Sequence, residues 1–223
     1  MREGRLSGDR QGGRLWLAFL LIFGLIFVRY CCYGLEYFPQ LDDYIQMHNY
    51  TAYRKDVWAF IIKLGALTTR PAAGVLDILF WGHLWPVLML GVALMSLLYA
   101  ASAVLFCRTW RAYFGTGWIF LTAYALLPLG MEGTYWMSAS TRVVPGLFFT
   151  ALSMLLFQRW CRTGRRRLLA GWLLGQLASF CFYEQSLVLS ITGTALVALL
   201  EWKEHPNRSK WALLTFVNIT VYI

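Results

Sequence analysis

The sequence predicts an all-α protein: a polytopic bundle of transmembrane helices whose first extracytoplasmic loop contains interfacial helices. Three observations carry that expectation. Hydrophobic residues make up 59% of the 223-residue chain and charged residues only 14%, with a mean hydropathy of +0.54, where a soluble domain holds about 25% charged residues. The apolar residues gather in runs close to the ~20 residues that a helix needs to cross a bilayer. Arginines cluster in short segments between those runs, as the cytoplasmic loops of membrane proteins do. The net charge of +9 is therefore read as topology, and no nucleic-acid partner is expected.

The first run covers residues 15–34. It follows the basic segment MREGRLSGDRQGGR, as a secretory leader would, but it is longer than a leader core and no small-x-small cleavage site follows, so a retained anchor is expected. Residues 75–106 contain the second run, 114–131 the third and 144–157 the fourth. The block from Leu168 to Leu200 is 33 residues long, about 50 Å as one helix and too long for one perpendicular crossing. It is expected to divide at Tyr183-Glu184-Gln185 into runs at 168–182 and 186–200. A seventh run, 211–223, has too few residues for a crossing of about 30 Å, which reads as a truncated or fragmentary chain. One transmembrane domain of six or seven spans thus occupies residues 1–223.

Orientation follows from the basic residues. With the amino terminus in the cytoplasm, fourteen of the twenty Lys and Arg fall on that side, including the Arg165-Arg166-Arg167 cluster. Seven of the eleven acids fall at the other face: Glu36, Asp42, Asp43, Asp56, Asp77, Glu132 and Glu184. Acids contribute little to topology, so this bias points to polar chemistry gathered at the extracytoplasmic side of a cell membrane. The long segment 36–74 lies there too. Within it, DVWAFIIKLGAL places Val57, Phe60, Ile61, Leu64 and Leu67 near helical spacing, which fits an interfacial helix with Lys55 and Lys63 reaching toward water.

In the same loop stands QLDDYIQ. Two acids in a polar loop need no special explanation, yet Asp42 and Asp43 follow the first span closely and precede an amphipathic segment. Adjacent carboxylates can hold a divalent cation, or one can be kept basic while the other is hydrogen-bonded. These residues resemble the GT-C class of membrane glycosyltransferases, whose members carry an acidic pair in the first extracytoplasmic loop. The resemblance rests on the basic amino terminus, the span LWLAFLLIFGLIFV, the loop QLDDYIQ and the stretch ending in TTRPAAG. That class has more crossings than this chain, and many members add a carboxyl-terminal soluble domain that is not found here.

The resemblance implies transfer of a sugar from a polyprenyl-phosphate donor to a lipid or glycan acceptor at the outer face. Asp42 or Asp43 would be the general base, and cations would stabilise the departing phosphate, with a divalent cation as one option. Arg70 and Arg142 are the better cations, because a guanidinium grips phosphate oxygens bidentately. EGTYWMSASTR adds Glu132, Tyr135 and Trp136 beside Arg142, polar groups and an aromatic face suited to a sugar ring, although an interfacial aromatic belt would use the same residues. Glu184 in FYEQS is either a substrate-binding carboxylate at the same level or a polar turn.

Other features carry less. His48, five residues beyond Asp43, could join the pair in a metal site, whereas His83 in FWGHLWP reads as a bundle histidine. The five cysteines have no CxxC spacing, and no phosphate-binding glycine loop, nucleophile elbow or HExxH motif occurs. A transporter or lipid flippase would place paired ionisable groups deep in the spans, and these are nearly free of charge. A noncatalytic polytopic membrane protein is the other alternative. The topology is checked directly: reporter fusions after Arg167 and Lys210 are expected to report cytoplasm, and fusions within 36–74 the exterior.

Overall fold

The structure, a computed structural model, describes residues 3–31, 34–52, 58, 59, 62, 68–115, 117–126 and 136–223. Among these residues it is all helical, with no β-strand. Helix α1 (Glu3–Tyr30) contains the first apolar run, and α2 (Leu41–Ala52) follows it. Helix α3 (Pro71–His83) opens on a proline, whose missing N–H is harmless at the first helical position. A 3₁₀ turn at Trp85–Val87 leads into α4 (Leu88–Phe114), which a left-handed Gly115 terminates. There follow α5 (Trp118–Leu126), α6 (Met137–Thr163), α7 (Arg166–Phe182) and α8 (Gln185–Glu201). A short α9 (Pro206–Ser209) and a 3₁₀ turn at Lys210–Leu213 precede α10 (Leu214–Tyr222).

Two stretches among the described residues are long and apolar enough to cross a membrane, Trp85–Phe114 and Met137–Thr163. Pro71–Trp81 and Gln185–Glu201 are apolar but shorter. Two departures of the helices from the sequence expectation bear on the site. The 75–106 run is divided, with α3 ending at His83 and a break at Leu84 ahead of Pro86, which has no N–H to continue an α-helical ladder. Helix α6 starts at Met137, inside the stretch expected to be a loop, and runs beyond both ends of 144–157. Its first polar residues are accommodated because they bond within the helix: Ser140 Oγ to the Trp136 carbonyl at 2.5 Å and Thr141 Oγ1 to the Ser138 carbonyl at 3.3 Å. Most of the interfacial helix expected over Asp56–Leu67 lies outside the described residues.

Helix α6 is the centre of the bundle. Helices α4 and α7 pack along it, α8 also contacts it, and α1 packs on α4. One core joins α1, α3, α4, α5 and the start of α6 through Ile26, Tyr30, Phe80, Val92, Met95 and Val144. A second, farther along α6, joins α4, α7 and α8 through Phe106, Phe157, Trp160, Trp172 and Val197. The interior also holds polar side chains joined by hydrogen bonds. Gln176 Nε2 reaches Ser190, Thr194 and Thr215 at 3.2, 3.3 and 3.0 Å, and Thr150 pairs with Ser179 at 2.6 Å. Outside, Leu17, Leu21, Leu90, Leu174, Val188 and Leu199 are all exposed.

Close packing of α3 on α4 depends on a glycine. A Cβ at Gly91 would lie 1.8 Å from Cζ of Phe80, a ring that is itself fully buried. Gly91→Ala is therefore expected to destabilise the fold by about 1–3 kcal/mol, the usual cost of overpacking a core. Thermal unfolding in detergent should show a lowered midpoint, partly restored by a second change, Phe80→Leu, that shortens the opposing side chain.

Candidate functional site

The chain from Tyr37 to Asp43 folds around one carboxylate. Asp43 sits in the first turn of α2 and is fully buried. Its Oδ2 accepts the Gln40 N–H at 2.9 Å and the Tyr37 hydroxyl, and its Oδ1 accepts the Ser138 N–H at 2.8 Å. The Tyr37 hydroxyl in turn accepts the Met137 N–H at 3.0 Å. These amides belong to the starts of α2 and α6, where N–H groups have no partner inside the helix and the helix dipole favours negative charge. Burial first, and then the Asp43 carboxylate, hold the Tyr37 hydroxyl well above the usual tyrosine range, so it remains a donor.

Beside this clamp stand two ion pairs. Asp77 of α3 is buried; its Oδ2 accepts Arg142 Nη2 at 3.0 Å and the Tyr50 hydroxyl at 3.2 Å, and its Oδ1 accepts Thr141 Oγ1 at 3.0 Å. Arg70, just before α3, grips Glu184 with both ends of its fork, Nε to Oε2 at 2.6 Å and Nη2 to Oε1. Its guanidinium also lies 5.0 Å from the Tyr183 ring centroid, a cation–π distance. Hydrogen bonding to Arg70 holds the Glu184 carboxyl below its ordinary range, and the same bond raises Arg70 above its own.

Two cavities adjoin these pairs. The larger, about 660 Å³, is lined by Tyr50, Asp77, Glu184 and Tyr222 among others. The smaller, about 340 Å³, is lined by Asp42, Gln46, Trp136, Ser138 and Tyr183 among others. Arg70 and Arg142 line both. The structure thus brings together Asp42, Arg70, Trp136, Arg142 and Glu184 of the residues singled out in the sequence, and separates the two aspartates. Asp42 is exposed to the smaller cavity with no hydrogen bond or ion pair among the described residues, while Asp43 lines neither cavity. Glu132 and Tyr135 lie outside the described residues.

Asp77 and Tyr50 are the site residues that the sequence reading missed. An acid at the outer end of an apolar run was the available signal for Asp77, since such a residue is costly unless paired. Among the described residues the donors at this face do not fit a divalent ion. Asp43 and Asp77 are each taken by three donors and Glu184 by Arg70, which leaves Asp42 and the exposed Glu36, and Glu36 lines neither cavity. His48 does not converge with the acidic pair; the cluster with ligand-like spacing, Glu201, Glu204 and His205, is at the far end of α8. Chemically, the site offers one unpaired carboxylate in the same cavity as two guanidinium groups, an arrangement able to receive a proton while holding an anion.

Comparison of the chain with protein-family models, with curated proteins and with solved structures returned no match.

The different surroundings of the two aspartates are open to measurement. In Asp43→Asn an NH₂ replaces one acceptor oxygen and faces donors, leaving at least one buried group unsatisfied at about 1–3 kcal/mol. Asp43→Asn is expected to lower the unfolding midpoint in detergent and Asp42→Asn to leave it unchanged; equal midpoints for the two variants would remove the clamp.

Proposed function

We propose that the protein is a membrane-embedded glycosyltransferase of the kind its sequence resembles, transferring a sugar from a polyprenyl-phosphate donor to a lipid or glycan acceptor at the extracytoplasmic face of the cell membrane. The observation that carries this reading is the smaller cavity, which the exposed Asp42 lines together with Trp136, Arg70 and Arg142. A base, an aromatic surface and two phosphate-binding cations are the groups that such a transfer requires.

Several features support a polytopic membrane setting. Two helices have spanning length and composition, the surface is rich in exposed aliphatic side chains, and the interior is held by hydrogen bonds between helices. The 27 residues of α6, about 40 Å of helix, separate Arg142 near one end from Arg162 and the Arg165-Arg166-Arg167 cluster at the other. That separation agrees with a cytoplasmic basic face and an outer acidic one.

In this reading the acceptor hydroxyl attacks the anomeric carbon of the donor sugar while Asp42 takes its proton. The bond between that carbon and the phosphate oxygen breaks, and the prenyl phosphate leaves with the electron pair, its charge met by Arg70 and Arg142. Trp136 supplies an apolar face for the sugar ring. Asp43 and Asp77 are positioning residues, the first setting α2 against α6 and the second orienting Arg142.

The test is transfer from a synthetic polyprenyl-phosphate sugar by the full-length protein in proteoliposomes. Loss of a general base costs about 10²- to 10⁴-fold in rate, so Asp42→Asn should insert normally and lose transfer by that factor. Near-wild-type transfer at equal expression would leave Asp42 without a catalytic role.

A further inference from the structure

The two arginines at the cavities are held by very different carboxylates. Asp77 is 2% exposed at its side chain and has Tyr50 and Thr141 as further donors, so its pair with Arg142 is part of the packed interior. Glu184 is 50% exposed, stands in the turn between α7 and α8, and has Arg70 as its ion-pair partner. Breaking a buried pair strands a charge, whereas an exposed pair is weak and exchanges readily with solvent and other anions. Arg70 would keep its place without Glu184, because its guanidinium lies over Tyr183.

A carboxylate bound across the Nε and Nη2 of an arginine offers two oxygens to the fork, as a phosphate does. We propose that Glu184 is a resident stand-in for phosphate: a ligand phosphate reaching Arg70 and Arg142, which line both cavities, displaces the Glu184 carboxylate from the fork of Arg70, while Arg142 remains held by Asp77 and presents its remaining donors to the same anion. Glu184 lines the larger cavity beside both arginines, so the displaced side chain has room to turn toward the solvent-exposed side. No covalent bond changes; one ion pair replaces another. This deepens the glycosyltransferase reading by naming the group that guards the donor phosphate, and it stands without it as a phosphate site.

The shared chemistry of the ligand is a phosphate ester or free phosphate. Binding of inorganic phosphate and of farnesyl phosphate to the full chain in nanodiscs at pH 7 is to be measured by calorimetry for the wild type and for Glu184→Gln. Removing the competitor is expected to tighten binding about fivefold, the scale of an exposed ion pair. The gain should shrink toward nothing in an Arg70→Ala background, and in Arg70→Lys should such a protein fail to fold, since neither retains the fork. A gain for both probes assigns a free-anion site, and a gain for farnesyl phosphate alone assigns a lipid headgroup; either supports the exchange. Unchanged or weaker binding by Glu184→Gln, an equal gain when Arg70 is replaced, or no binding of either probe overturns it. Sugar transfer lost with the exchange intact removes only the enzyme reading, and transfer present with an unmoved phosphate affinity removes only the exchange.

Discussion

A buried carboxylate is tolerated when both of its oxygens are hydrogen-bonded, and Asp43 is such a group. Its three donors are the Tyr37 hydroxyl and two amides that begin α2 and α6. Without it, those amides would be orphaned in a region with little water, at the two helix ends where positive dipole charge concentrates. The clamp also sets directions. By fixing the start of α6 it brings Trp136, Ser138 and Arg142 to the smaller cavity, and by fixing the start of α2 it leaves the neighbouring Asp42 exposed in that same cavity.

The same logic recurs at the opposite end of the bundle. Glu201, buried at the end of α8, accepts the Tyr113 hydroxyl at 2.5 Å and Arg162 Nε at 2.8 Å, joining α8 to the ends of α4 and α6. Helix α6 therefore has an acid at its amino end and an arginine near its carboxyl end, the polarity that suits its dipole. Between the two anchors, Gln176 and the Thr150–Ser179 pair supply directional contacts that an all-aliphatic interface would lack.

The site combines rigidity and access. Asp43 and Asp77 are enclosed, while Asp42, Arg70 and Glu184 face open volume. Enclosed carboxylates hold elements in place because leaving them unpaired is costly, and accessible ones are available for exchange because water can replace their partners. In the proposed reaction the base and the phosphate-binding fork would belong to the second kind, supported by the first.

The sequence by itself determined that the chain is helical, where most of the helices run, and that Asp42, Arg70, Trp136, Arg142 and Glu184 gather away from the Arg165 cluster. Run length and residue type are local properties, and alternation of basic and apolar segments places successive turns at opposite ends. Only the tertiary structure decided which aspartate of the pair is enclosed. Neighbouring residues on a helix point about 100° apart, so one of the two must face α6 when α2 docks and the other must not, and nothing local to QLDDYIQ says which. The same holds for the partners of the arginines: Arg70 with Glu184 and Arg142 with Asp77 join residues far apart in the chain, and the choice rests on how α3, α6 and α7 pack. The start of α6 at Met137 was hidden for a related reason. Its serines and threonines read as loop by composition and become helix only because their hydroxyls find backbone carbonyls one turn back and Asp43 and Tyr37 receive its first amides.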